Sequence, residues 1–237
     1  MDRFLRVAST RKDDGSPVTE ADQAAEEVIV SGISAAFPED RLRSEEGASR
    51  EGSGRCWFVD PLDGTSAFLE GLAHWGPTVG LVEGGVSRYG ALWLPRTGDY
   101  FYSEDGTAWL NDTPLPRLVD RAPSREQILY IPSRLHTHVR LDWPGKGRSL
   151  GSIAAHLCLV AAGSASAALI PGGWHPWDTA GGLALIQSVG AHAETFDGQP
   201  LNFERHAGQP FIAGLPSTIK WLRQPGRISF FPLQRSR

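Results

Sequence analysis

The segment Asp60-Pro61-Leu62-Asp63-Gly64-Thr65 sets two carboxylates three residues apart where an apolar run, Cys56-Trp57-Phe58-Val59, breaks. Carboxylate oxygens are ligands for a hard cation. The Gly64-Thr65 step is suited to opening a helix, whose first N–H groups hold an anion. A divalent metal beside a phosphate is the simplest chemistry for that pairing. Further acids stand at the ends of expected elements: Asp22, Glu45 in Ser44-Glu45-Glu46, and Asp178 in Trp177-Asp178-Thr179-Ala180. Carboxylates placed on loops by rigid elements often serve as catalytic ligands. Taken singly, each also has a structural reading. Asp22 caps its own helix, Asp178 is an N-cap, Asp63 a turn residue and Glu45 an exposed charge. His136-Thr137-His138 has alternating spacing but no third ligand near it in sequence, so it makes no metal site by itself.

The elements that must position these acids follow from periodicity. Thr19-Glu20-Ala21-Asp22 has the form of a capping box, and Ala25, Val28, Ile29, Ile33, Ala36 and Phe37 continue it as a helix that Pro38 ends. Strand-like runs at Cys56–Val59, Pro77–Val82, Tyr89–Leu94 and Tyr100–Ser103, with turns at Gly84-Gly85 and Arg96-Thr97-Gly98, predict an antiparallel meander. After Ala122-Pro123-Ser124 the texture alternates. Strands are expected at Gln127–Ile131, Ala165–Ile170, Ala193–Phe196 and Pro210–Ala213, and helices at Ser152–Ala162 and Asp178–Val189. The division is an antiparallel lobe over 1–124, an α/β lobe over 125–219 and a basic, solvated tail over 220–237.

The chain has 237 residues, 41% of them hydrophobic, enough for one large domain or two small ones. With 21% charged residues and a net charge of −4 it lacks the basic footprint of a protein that binds nucleic acid polymers. Anion binding must then come from a metal or from local dipoles. Cys56 and Cys158 lie in apolar runs and read as buried free thiols of a reducing compartment. Met1-Asp2-Arg3-Phe4-Leu5 has no apolar stretch of signal-peptide length, and Leu157–Ile170 is too short to span a bilayer. These readings point to a soluble, cytoplasmic protein.

Four blocks together resemble the inositol monophosphatase family, the Mg²⁺-dependent, lithium-sensitive phosphatases that include 3′(2′),5′-bisphosphate nucleotidases and fructose-1,6-bisphosphatases. They are Val18-Thr19-Glu20-Ala21-Asp22, Glu45-Glu46, Trp57–Thr65 and Trp177-Asp178-Thr179-Ala180-Gly181-Gly182, in the family's order. The resemblance implies a layered αβαβα sandwich, with an antiparallel N-terminal sheet lobe and a mixed α/β C-terminal lobe. It implies a first Mg²⁺ on Glu45, Asp60 and the Leu62 carbonyl, and a second on Asp60, Asp63 and Asp178. Phosphate would take hydrogen bonds from the Gly64 and Thr65 N–H groups. Glu45 and the Thr65 hydroxyl would orient the attacking water, with Asp22 accepting the Thr65 proton. Lys12 matches a loop lysine near a third, weaker metal. Among expected substrate contacts, Gly151 and Ser152 would offer backbone N–H groups to a substrate hydroxyl. Trp174 and His175 would flank the pocket mouth, with plain packing of Trp174 competing with stacking on a sugar or base.

The chain also departs from the family pattern. Only Met1–Thr10 precede the Lys12 loop, where members usually carry another helix. Pro171 and Ser166 stand where inositol-specific members carry acids, and Ser66 and Ala67 replace the residues usual after the Thr65 position. Loss of acceptors for sugar hydroxyls argues against tight inositol selectivity. The expected activity is hydrolysis of a small inositol, sugar or nucleotide phosphate, with a 3′(2′),5′-bisphosphate nucleotidase as the alternative. A regulatory member of weak activity is the alternative of another class. Family members are often dimers, so the resemblance admits a homodimer, while the sequence itself leaves the oligomeric state open.

Overall fold

The strand Cys56–Asp63 carries the motif and lies inside an eight-stranded sheet, flanked by the antiparallel Gly76–Glu83 and the parallel Arg41–Ser44. The computed structural model describes residues 9–11, 17–137 and 139–230. From Gly76–Glu83 the sheet runs outward as a meander through Val86–Leu94, Asp99–Glu104, Thr107–Leu110 and Thr113–Pro114; Ser49–Arg50 forms the opposite edge beyond Arg41–Ser44. The expected hairpin order is present, and Thr107–Leu110 adds a strand that the sequence pattern did not mark. A second sheet has the order Lys146–Arg148, Ile128–Tyr130, Ala167–Ile170, Phe211–Gly214 and His192–Thr195. Its first three strands are parallel and the rest antiparallel.

Among the described residues six helices accompany these sheets: α1 (Glu20–Ala36), α2 (Thr65–Leu69), α3 (Ile153–Ala161), α4 (Pro176–Ser188), α5 (Phe203–His206) and α6 (Pro216–Leu222). Thr19 caps α1 through the capping box with Asp22 that the sequence predicts. Helices α3 and α4 are apolar on nearly every side, which marks them as an inner layer rather than a surface one. They touch both sheets. Their side chains join Leu92 and Phe101 of the first sheet and Ala168, Ile170 and Phe211 of the second in one core. On the far face of the second sheet Leu129, Leu169 and Ile212 pack against Ile219 and Leu222 of α6. With α1 lying on the outer face of the first sheet, the layers run α, β, α, β, α as expected.

Residues 220–230 correct the reading of a solvated tail. Leu222 is buried, and Ile228–Phe230 pairs with Val139–Leu141. The Arg227 guanidinium lies 4.0 Å from the Trp221 ring centroid and pairs with Asp142, so this basic residue is spent on packing. Arg235 and Arg237 lie outside the described residues. No helix among the described residues is long and apolar enough to cross a membrane.

Helix α4 approaches the first sheet more closely than side chains normally allow. A Cβ on Gly181 would stand 2.5 Å from Thr78 Oγ1 and 2.7 Å from the Val79 carbonyl, and one on Gly80 would stand 2.4 Å from the Ala180 Cβ. Ser87 Oγ donates to the Ala180 carbonyl at 2.6 Å. Glycine at these positions lets the helix that carries Asp178 lie on the strand beside Asp60. Gly181→Ala is therefore expected to lower stability by about 1–3 kcal/mol, the usual cost of overpacking, measured as a reduced denaturant midpoint with an unchanged slope.

Candidate active site

Pairing along Cys56–Asp63 is regular up to Asp60 opposite Thr78, then shifts so that Asp63 faces Gly76. Pro61 has no N–H to give the ladder, and a local bulge there turns the chain. Asp60 Oδ1 accepts the Leu62 N–H at 2.8 Å, spanning the proline. Gly64 follows with φ +89, a left-handed conformation that glycine adopts without steric cost, and α2 starts immediately after it. The strand end, the turn and the helix start thus follow directly from the order Asp-Pro-Leu-Asp-Gly-Thr.

Neighbouring elements bring the other acids in. The Glu45 N–H donates to the Val59 carbonyl at 3.0 Å, which carries Glu45 alongside Asp60 at the end of the parallel pair. Asp178 is the third residue of α4 and its Oδ2 accepts the His175 N–H at 2.6 Å. It therefore helps to cap its helix while it stands with the other acids. Asp22 likewise serves two partners. Its Oδ2 accepts from the Thr19 N–H at 2.8 Å and from Thr19 Oγ1 at 2.6 Å, and its Oδ1 lies 3.4 Å from Thr65 Oγ1. The Thr65 hydroxyl also reaches the Leu62 carbonyl at 3.2 Å, so its single proton is shared between two acceptors.

Burial and like charge dominate the electrostatics. Burial pushes the Asp60 carboxyl well above its usual range, and the charges of Asp63, Glu45 and Asp178 push it further. Burial also raises Asp63, to about 6, against the lowering effect of hydrogen bonds from Ser152 and Ala154. Burial raises Asp22 as well, although its bonds from Thr19 oppose the shift. Among the described residues no Lys or Arg pairs with Asp60 or Asp63. A divalent cation fits this donor set, which is all carboxylate and carbonyl oxygen without a thiolate or imidazole. Among the described residues no three such side chains form a ready-made cage. Asp60, Asp63 and Asp178 each have an oxygen turned onto a backbone N–H, the kind of outer contact that orients ligands around an ion.

The expected substrate contacts fare unevenly. Ser152 N-caps α3, and its hydroxyl donates to Asp63 at 2.6 Å. Gly151 sits in the same turn, packed on Ala67. Trp174 is not at a pocket mouth. Its ring is buried edge-on against Phe203 and Phe211, and its Nε1–H donates to the Gln209 carbonyl at 2.6 Å. His175 is exposed and stacks on Trp177. Lys12 lies outside the described residues. Beside Gly151 and Ser152 opens a cavity of about 140 Å³, also lined by Ser133, Ser149, His156 and Pro171. The sequence pattern did not single out Ala154, whose N–H binds Asp63, or His156. The small residues after Gly151 mark a helix start, and that is the one local signal of an anion-facing N-terminus there.

The sequence model of the inositol monophosphatase family matches residues 2–218. The chain belongs to that family. Its relatives include the histidinol-phosphatase of Chlorobaculum parvum, 35% identical over 79% of this chain and 75% of that protein. The 3′(2′),5′-bisphosphate nucleotidase CysQ of Salmonella typhimurium is 32% identical over 81% and 82% respectively. Among solved structures, a Thermotoga maritima IMPase superposes with a TM-score of 0.82 at 27% identity, covering 94% of this chain and 89% of that one. The family and these relatives are phosphatases, and the chain is a phosphoric monoester hydrolase of the same family.

The Asp63 shift has a testable sign. A carboxyl whose pKa is raised by folding contributes stability below its unfolded value, near 4, and loses it as pH rises through about 6. Asn mimics the neutral form at every pH. In metal-free protein, Asp63→Asn is expected to melt above wild type at about pH 7.5, with the gap closing by about pH 4. Thermal melting at both values checks it; a variant that melts lower at both pH values contradicts the direction.

Proposed function

We propose that the chain is a cytoplasmic, Mg²⁺-dependent phosphomonoesterase that hydrolyses a small inositol, sugar or nucleotide phosphate. The observation that carries this reading is the buried pair Asp60 and Asp63, set among two further acids with no described cationic side chain paired to it. Glu45, Asp60 and the Leu62 carbonyl would hold one ion; Asp60, Asp63 and Asp178 would hold another. When bound, Mg²⁺ supplies positive charge to the phosphoryl group and makes water a stronger acid.

The chain's own groups then have separate tasks. The N–H groups of Gly64 and Thr65 bind phosphate oxygens, and the absence of a side chain at Gly64 lets the anion come close. Glu45 and Thr65 Oγ1 orient the attacking water in line with the scissile bond. Asp22 accepts the Thr65 proton, which leaves the Thr65 oxygen able to accept one from the water. Small hydroxyls around the cavity beside Gly151 suit a polar leaving group. Pro171 on its wall supplies no carboxylate there, which favours loose recognition of substrate hydroxyls.

A second reading, a 3′(2′),5′-bisphosphate nucleotidase, is favoured by the 32% identity to CysQ over most of the chain. A panel of inositol-1-phosphate, a 3′,5′-bisphosphate nucleotide, histidinol phosphate and fructose-1,6-bisphosphate, assayed for Mg²⁺-dependent phosphate release, ranks these substrates. Thr65→Ala is expected to lower kcat by about 10²-fold or more on the best substrate, with the fold intact. Wild-type turnover in that variant removes Thr65 from the mechanism. No turnover on any substrate by well-folded wild type favours a regulatory role.

A further inference from the structure

Asp63 is gripped from outside its own turn. Its Oδ2 accepts two hydrogen bonds from the start of α3, from Ser152 Oγ and from the Ala154 N–H, both at 2.6 Å. The Ser152 oxygen in turn accepts the Ala155 N–H at 2.9 Å. One hydroxyl therefore closes the helix end as an acceptor and reaches Asp63 as a donor, a pair of roles open to a hydroxyl and not to an apolar side chain. The helix start contributes its own positive dipole end to the same carboxylate.

The turn that presents Ser152 is held on three sides. Gly151 has φ +87, and a Cβ there would stand 2.9 Å from the Ala67 Cβ of α2. The Leu150 N–H donates to His156 Nε2 at 2.9 Å, and the His156 ring lies flat on Tyr130 with centroids 4.9 Å apart. A Cβ on Gly64 would stand 3.1 Å from the Ser152 Cβ. The turn after Asp63 and the turn before α3 therefore lie against each other.

We propose that Ser152 is a positioning residue for the cation site: with the Ala154 N–H it fixes one oxygen of Asp63 and thereby aims the other at the metal. This rests on the metal reading of Asp63 given above. Without the hydroxyl, the carboxylate rotates more freely and loses one of its two donors from α3. Outer contacts of this kind, when removed, usually weaken metal binding by about 10–100-fold.

The substitutions separate this role from helix capping. Ser152→Thr keeps both donor and acceptor. Ser152→Gly keeps a tolerated N-cap but removes the donor. Mg²⁺ binding to the metal-free full chain is measured by titration calorimetry, together with melting without Mg²⁺ and the Mg²⁺ concentration that half-saturates phosphate release. The glycine variant is expected to bind Mg²⁺ about 10-fold more weakly or worse, with raised Mg²⁺ recovering most turnover, and the threonine variant within about 2-fold of wild type. Should the glycine variant fail to fold, Ser152→Cys keeps the shape with a poorer donor, and weaker Mg²⁺ binding than wild type is again expected. A folded glycine variant, or failing it a cysteine variant, that binds Mg²⁺ as tightly as wild type overturns the positioning role alone. Wild type that binds no Mg²⁺ overturns this proposal and the metal reading together.

Discussion

Buried like charge is the constraint on which this molecule turns. Asp60 and Asp63 end one strand at 2% and 8% exposure, and Glu45 and Asp178 push the Asp60 carboxyl further from its charged form. A fold does not gather such groups for stability, because each ionised acid taken from water without a partner is costly. Protonation would relieve that cost in the metal-free protein; on the proposed function, a cation would relieve it while leaving the acids ionised. The arrangement that costs the fold stability would then suit it to a metal.

Much of the architecture serves to bring distant segments to that strand end. The largely apolar α4 lies on glycines of the first sheet, and this close approach delivers Asp178 from a segment more than a hundred residues later in the sequence. Helix α3 points its start at Asp63 from the same inner layer. On the other side, the first turn of α1 carries Asp22, which binds Thr19 with one oxygen and faces Thr65 with the other. With α2, which opens at Thr65, four helix starts thus border the site, and in α1, α3 and α4 the helix end also supports an acid. On the proposed function, capping and catalysis are not competing uses of these side chains.

This double use explains what the sequence could show. The capping box at Thr19, the break at Pro61 and the glycine before Thr65 are local signals, and each of those elements stands where its signal places it. Helix α4 starts two residues before its expected bound because Pro176 presets the first turn and Asp178 binds the His175 N–H. Contacts between distant segments left no local mark. Ser152 looks like any helix cap until its acceptor, 89 residues away, is known. The pairing of Ile228–Phe230 with Val139–Leu141 joins two short runs that neither composition nor period distinguishes from loop. For Trp174 the sequence leaves packing and stacking on a substrate both open. The Gln209 carbonyl that accepts its indole N–H, with Phe203 and Phe211 against the ring, shows the packed role. Assignment to the inositol monophosphatase family needed four blocks in order, since each block alone has a structural use.

On the proposed function, a cation takes over a charge cost that protons otherwise relieve. Proton release on adding Mg²⁺ to the metal-free protein, followed with a pH electrode or by calorimetry in buffers of different ionisation enthalpy, tests it most directly. At about pH 5.5, below the raised pKa of Asp63, Mg²⁺ binding should expel protons, and the number expelled should fall as pH is raised. Binding without proton release at that pH, or release that does not change with pH, would contradict the account.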